Sequence, residues 1–298
     1  MEVTTSDLRV KERGDNQNAF DQRTKHFIEP GSKLSKMNLK SLFSALVTVL
    51  LIANALFFSQ SSAIRVQGQE AETIPDQPQQ VGCGSVITGT VTLSSNLNCN
   101  HDGLIVGGDS TTIDLNGFQI RGPGIDSSKI GITVSEDNVK VVGPGVITGF
   151  QAGILVTGAS EFSGSSVILQ NNEVGILLTG ADNASVEENN LKNNLVGVTA
   201  HSANSLDIAN NLMTKNVLAG VLFVNTDSSA ATSNNIQGSQ KGIFLDSQSA
   251  ENTVQTNNVR YNIVGLDNAN GLAPVSNKNT FSTNICGTSS PSGLCTGN

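Results

Sequence analysis

Gly131-Ile132-Thr133-Val134, Gly153-Ile154-Leu155-Val156, Gly175-Ile176-Leu177-Leu178, Gly197-Val198-Thr199-Ala200, Gly220-Val221-Leu222-Phe223 and Gly242-Ile243-Phe244-Leu245 recur from the middle of this chain towards its end, and Gly265-Leu266 follows them. The spacing between successive glycines is nearly constant, at 22, 22, 22, 23, 22 and 23. A fixed period of this length marks a solenoid. A helical repeat would need apolar stripes at a spacing of about 3.6 residues and good helix formers between them. These segments are instead rich in Gly, Asn, Ser, Thr, Val and Ile. Asn and Gly are poor helix formers, whereas β-branched residues suit strands. Within a run the alternation has period two, so Ile176 and Leu178 share one face, as in a strand with one side buried.

The second half of each unit reads Asn-Asn-aliphatic: Asn189-Asn190-Leu191, Asn210-Asn211-Leu212, Asn234-Asn235-Ile236 and Asn257-Asn258-Val259. In three of these units the second Asn lies seven residues before the next glycine, and in the unit at Asn211 it lies nine before. Asn tolerates left-handed backbone and bonds its own backbone, so it suits tight turns. Equivalent Asn side chains in stacked coils can form a hydrogen-bonded ladder. A unit of this length with short strands and tight turns is therefore one coil of a parallel β-helix. Earlier coils are less regular. Gly103-Leu104-Ile105-Val106 opens a longer one, reaching to Gly131, that contains Thr112-Ile113-Asp114-Leu115-Asn116-Gly117. Gly-Pro-Gly ends short strands at 122–124 and 143–145. Asn279-Thr280-Phe281-Ser282-Thr283-Asn284-Ile285 echoes Asn252-Thr253-Val254-Gln255-Thr256-Asn257-Asn258, which places an insertion at roughly 271–277. Eight glycine-marked coils at about 4.8 Å each span roughly 38 Å.

On these Gly-aliphatic runs, Asn-Asn-aliphatic turns and the opening Thr112–Gly117 segment, residues 83–298 resemble the right-handed parallel β-helix repeat proteins of the pectate-lyase-like superfamily. That superfamily takes in pectate lyases, polygalacturonases, alginate epimerases, phage tailspikes and accessory proteins of nitrous oxide reductase. The resemblance implies an all-β, single-stranded right-handed parallel β-helix of about eight to nine coils. It leaves the activity open, because one fold hosts many functions.

Ahead of the solenoid, residues 41–58 form the longest apolar stretch; Lys33, Lys36 and Lys40 precede it and Ser61-Ser62-Ala63 follows. A signal peptide cleaved after Ala63 fits this pattern. So does an uncleaved membrane anchor, since the length of 41–58 approaches the minimum for a span. A start at Met37 would give a signal peptide of ordinary form. The expected organisation is a disordered extension at 1–36, a signal peptide or anchor at 37–63, a linker at 64–82 and the β-helix at 83–298. Either way the solenoid lies outside the cytoplasm: secreted or at the cell surface, and membrane-attached only through 41–58 if that segment is kept.

Residues 1–80 hold nine acidic and nine basic side chains, and the remainder holds sixteen and eight, so the net charge of −8 belongs to the solenoid. An acidic solenoid is a poor nucleic-acid partner. It is also a poor partner for pectin or alginate unless a cation bridges them. Cys83 and Cys99 stand at the start of the solenoid, Cys286 and Cys295 at its end. Export and an even count argue for disulfides, and the ends are too far apart to cross-pair, so Cys83–Cys99 and Cys286–Cys295 are expected. Such loops would stabilise by around 3 kcal/mol each in the chain-entropy model, and they would cap the apolar ends of the stack. Zinc would need Cys and His in close clusters, which the sequence lacks.

Chemistry is harder to find. Asp182 and Asp227 each lie seven residues after their coil's glycine, two coils apart with Asn204 between. In register they would be roughly 9.6 Å apart, at the edge of the range of about 5–9.5 Å for a glycosidase pair. The plainer reading makes both of them turn residues. Asn225-Thr226-Asp227 resembles the polygalacturonase Asn-Thr-Asp motif, but that family's Asp-Asp, Gly-His-Gly and Arg-Ile-Lys are missing. The basic residues (Arg121, Lys129, Lys140, Lys192, Lys215, Lys241, Arg260 and Lys278) form no lyase-like cluster with acids. No cofactor is expected; calcium on scattered carboxylates is the alternative. Copper favours His, Cys or Met, and His101, His201 and Met213 are too dispersed, with His201 read as a surface turn residue. Sugar-binding aromatic platforms are scarce: Trp is absent, Tyr261 is the one Tyr, and Phe118, Phe223, Phe244 and Phe281 read as core. Asn183-Ala184-Ser185 is a sequon at a turn. The resulting expectation is an exported binding or structural module for polysaccharide or a cell-envelope component, the polysaccharide resting on the resemblance. The alternative is a polysaccharide lyase, glycoside hydrolase or epimerase with a non-standard site. Mass spectrometry of the exported protein's N terminus should show the chain beginning just after Ala63; a mature chain beginning at Met1 would overturn cleavage.

Overall fold

The computed structural model describes residues 81–269 and 271–296. The apolar segment at 41–58, the cleavage point at Ala63 and the extension at 1–36 lie outside the described residues. Among the described residues no helix is long and apolar enough to cross a membrane.

Each coil contributes a strand to three parallel sheets in turn. In one regular coil these are Ala152–Thr157, Ser163–Ser165 and Ile168–Gln170, after which the chain returns to the first sheet at Val174–Thr179. We call them sheets A, B and C. Their strand orders follow the chain one coil at a time, and they hold 10, 9 and 7 strands among the described residues. The result is the expected all-β, right-handed-type parallel β-helix, of about nine coils. Three corners separate the sheets, and residues with positive φ recur there in columns. Ser166, Glu188, Asn210, Ser233, Thr256 and Thr283 stand between sheets B and C; Asn171, Asn193 and Lys215 stand between C and A.

Alternation within strands sends every second side chain inward. Ile132, Ile154, Ile176, Val198, Val221, Ile243 and Leu266 stack as one fully buried column of sheet A. Each such side chain contributes roughly 1.5–3 kcal/mol by burial. The repeating glycine precedes each of these residues, and its φ is ordinary. It is needed because coils approach closely there: a Cβ on Gly175 would lie 2.6 Å from the carbonyl oxygen of Gly197, and one on Gly153 would lie 2.7 Å from that of Gly175.

The Asn ladder exists, and there are three such columns. The first runs Asn189, Asn211, Asn234, Asn257 and Asn284. It therefore uses the first Asn of three pairs and the second of Asn210-Asn211, which corrects the register read from the sequence. The slip arises because the longer step after Gly197 comes from one extra residue at Val217-Leu218: Asn194 aligns with Asn216, but Val196 pairs with Ala219. The second column runs Asn172, Asn194 and Asn216, and after Ser239 it resumes at Asn262. The third links Ser229, Asn252 and Asn279. In the first column Asn211 accepts from the Asn189 backbone N–H at 2.9 Å and donates to the Val186 carbonyl at 2.8 Å, sealing two coils at once.

Cys83 bonds to Cys99 and Cys286 to Cys295. Cys99 and Cys286 reach the apolar core, so each bridge closes one end of it. The insertion near 271–277 carries a short helix, Pro274–Asn277, and lengthens the sheet B step so that Thr253 stands opposite Thr280. The long coil opened by Gly103 carries its extra residues in a 3-10 turn at Ile125–Ser127.

Replacing Asn211 with Ala should cost about 3 kcal/mol in urea or thermal unfolding, since it orphans a buried N–H and a buried carbonyl. Gly175→Ala should cost about 2 kcal/mol through overpacking alone. Wild-type stability in both variants would mean that coil spacing is set elsewhere.

Candidate functional site

Asp182 and Asp227 do share a column. Parallel bridges join Ser160 to Asp182, Asp182 to Asn204 and Asn204 to Asp227 at the corner between sheets A and B. Their local bonds are those of turn residues. Asn204 Nδ2 donates to Asp182 Oδ1 at 3.2 Å, and Asp227 Oδ1 accepts from the Ala250 backbone N–H at 2.7 Å. The same corner continues upstream, where Asp137 Oδ1 accepts from the Ser160 N–H and Asp109 Oδ1 from the Asp137 N–H. Asn225-Thr226-Asp227 is part of this turn: Thr226 is fully buried and its hydroxyl donates to the Val224 carbonyl.

A second carboxylate pair stands on the outward face of sheet B. Ser185 is opposite Asp207 and Glu187 is opposite Ala209, so Glu187 and Asp207 are diagonal neighbours on one face. Ser185 Oγ donates to Glu187 Oε1 at 2.8 Å. Partial desolvation, and then the charge of Glu187, push the carboxyl of the otherwise exposed Asp207 above its ordinary value. The sequence reading missed this pair because the two residues stand at different offsets from their coils' glycines, Gly175 and Gly197; only the pairing of Ser185 with Asp207 shows that they adjoin. Glu173, at the corner entering sheet A, is also raised, by burial first; a hydrogen bond from Gln151 opposes the shift and Asp126 adds to it.

On sheet A, Phe244 is buried as expected, at 5% exposure, but in the column Leu155, Leu177, Thr199, Leu222, Phe244 and Asp267 on the outer side of the sheet rather than in the central core cluster. Lys241 Nζ lies 3.8 Å from the Phe244 ring centroid and 2.7 Å from Asp267 Oδ2, so a cation bridges the ring and the acid. His201 is the last residue of the strand Val196–His201, buried rather than in a surface turn. Its Nδ1 and the nearby Thr199 hydroxyl have no hydrogen-bond partner. Burial lowers the His201 pKa, with Asp246 partly opposing.

On sheet C, Gln119, Arg121, Thr148, Gln170 and Asn171 line a shallow groove of about 390 Å³ together with the backbone at Gly122–Gly124.

Stacked parallel coils, in-register Asn columns and a disulfide at each end define a capped right-handed parallel β-helix protein. The chain belongs to the NosD family, described as periplasmic copper-binding protein (NosD), whose family model matches residues 83–297. No curated protein matches the sequence significantly. Among solved structures, DFA-IIIase from Arthrobacter chlorophenolicus A6 in complex with GF2 aligns with a TM-score of 0.49 at 16% identity, covering 66% of this chain and 55% of that one. Endopolygalacturonase I from Stereum purpureum, complexed with two galacturonate, aligns with a TM-score of 0.32 at 15% identity, covering 72% of this chain and 88% of that one. The chain thus spans about half the length of the DFA-IIIase.

The described residues do not match the copper of the family description. Along its column His201 is flanked by Thr179 and Val224, neither a ligand. His101 lies four coils away, about 19 Å, and its Nδ1 faces the Asp102 carbonyl at 2.9 Å. Met213 is fully buried among core side chains, and every cysteine is in a disulfide. Among the described residues no three His, Cys, Asp or Glu side chains converge on a metal position.

Because the folded-state pKa of Asp207 lies above its unfolded value, its ionisation works against folding. Stability falls as pH rises through the window between the two values, and the deficit is complete above the folded-state value. Asp207→Asn should therefore raise the melting temperature at pH 7 and leave it unchanged at pH 3, by calorimetry. An equal shift at both pH values would refute the electrostatic origin.

Proposed function

We propose that this protein is an exported β-helix module that binds extracellular or cell-surface polysaccharide without turning it over. One observation carries the reading: the outward columns carry hydroxyl and amide side chains at most coils, with Asp207 and Ala230 intervening on sheet B and Lys192 on sheet C. On sheet B, Ser163 stands over Ser185 and Thr253 over Thr280; on sheet C, Thr148 stands over Gln170 and Thr214 over Gln237. A face with a polar group at the majority of its ~4.8 Å steps along the axis suits an extended polymer of hydroxyl-bearing units. The described carboxylates support non-catalytic use, since the Asp182–Asp227 corner is engaged in backbone and Asn contacts. A periplasmic family description and two disulfides agree with export. In this reading residues 37–63 direct export or anchor the chain, 64–82 link, and 83–298 bind.

The enzyme reading keeps one specific support, the Glu187–Asp207 pair, diagonal neighbours on one face of sheet B, with the Asp207 carboxyl raised by desolvation first and by the charge of Glu187 second. Incubating the full-length protein with a panel of neutral and acidic polysaccharides, with co-sedimentation and product analysis in parallel, separates the two. Retention without new chain ends is expected. Turnover abolished by Asp207→Asn, or by Asp182→Asn or Asp227→Asn, would replace the module with an enzyme.

A further inference from the structure

Charge is not spread evenly around this acidic solenoid. One outward column of sheet C runs Arg121, Thr148, Gln170, Lys192, Thr214 and Gln237. Its companion column runs Gln119, Val146, Ile168, Asn190, Leu212 and Asn235. Neither contains an acid. Lys215 adds a cation at the adjoining corner, one residue beyond Thr214. Arg260 adds another two residues beyond Asn258, which bridges Asn235. Four of the solenoid's eight cations therefore lie on this face and its edges, against three acids at those edges, Glu188 between sheets B and C and Asp126 and Glu173 between sheets C and A. Lys129, Lys241 and Lys278 are ion-paired elsewhere; among the described residues Arg121, Lys192, Lys215 and Arg260 form no ion pair. The acids Asp109, Asp137, Asp182 and Asp227 gather on the opposite corner, between sheets A and B.

From Arg121 to Arg260 is six coil steps, about 29 Å. The groove beside Arg121 lies at one end of this strip. Tyr261, 69% exposed, lies at the other and offers a ring face to a sugar. Between them the cations are interleaved with amides and hydroxyls and, in the companion column, with Val146, Ile168 and Leu212.

We propose that sheet C is the binding face and that its ligand is an acidic polysaccharide, a polymer of hydroxyl-rich units carrying carboxylate or sulfate. This rests on the polysaccharide reading above and narrows it. Unpaired cations supply attraction that the net charge conceals, and the amides and hydroxyls match a sugar's own groups. The sparse cations fit one charge per sugar unit or two. They fit a polynucleotide less well, since a duplex carries a charge every ~1.7 Å of its axis.

The test is binding of the full-length protein to immobilised polygalacturonate, to a sulfated glycan and to a neutral glucan. Binding to one or both acidic polymers is expected, and it should weaken as salt rises. Lys192→Gln with Lys215→Gln should weaken it by roughly tenfold, the combined loss of two exposed charge contacts. Lys140→Gln, on sheet B, should leave it unchanged and controls for net charge. Binding to the neutral glucan with equal strength, untouched by the Lys192/Lys215 pair, overturns the strip and leaves the polysaccharide module standing. Binding to no polymer overturns both.

Discussion

The corners of each coil are what hold this stack in register. Strands in a parallel β-helix satisfy their backbone through the coils above and below, but the corners leave buried N–H groups that no strand can take. An unmade bond of this kind costs about 1–3 kcal/mol. In the C-terminal two thirds of the solenoid, Asn side chains of the next coil accept those protons. Asn194 Oδ1 takes the Asn172 N–H, Asn211 Oδ1 the Asn189 N–H, and Asn252 Oδ1 the Ser229 N–H. Each amide then donates backward, as Asn194 does to the Leu169 carbonyl. One residue type thus serves as acceptor and donor across three levels, which an ionised Asp, an acceptor only, cannot do. Nearer the N terminus, Asp side chains cap in the opposite direction, with Asp102 Oδ1 accepting the Ile130 N–H of the following coil. This is the physical reason why acids at the corners belong to the fold before they belong to any chemistry.

The glycine column and the inward aliphatic column were legible because every coil repeats the same constraint: close backbone approach at one position, burial at the next. The disulfides were legible because two cysteines flank each end. The outward faces were not. Several left-handed residues per coil reset the alternation, and a one-residue change at a corner moves a side chain to the other face. Phe244 looked like core by composition and is buried, but on the outer side of sheet A, beneath Lys241. His201 looked like a turn residue and ends a strand. Glu187 and Asp207 became neighbours only through strand register. The extra residue at Val217-Leu218 had a visible trace, the wider spacing between Asn211 and Gly220, but the spacing alone could not say which Asn carried the ladder.

A catalytic site needs groups converging from different directions around one bond. Three flat sheets joined by tight corners present groups in parallel rows, a geometry that suits contact along a polymer more than enclosure of a bond or a metal ion. Relief from flatness comes where a coil is lengthened. The long coil opened by Gly103 places the turn at Ile125–Ser127 directly after Gly122–Gly124, and that stretch is one wall of the groove beside Arg121. The insertion at Pro274–Asn277 does the same for the other end of the solenoid, beside the Lys278–Glu251 pair. Departures from the period are therefore where this fold acquires a third dimension at its surface. The first of them adjoins Arg121, which has no ion-pair partner among the described residues, so the irregular coil supplies shape at the place where sheet C supplies charge.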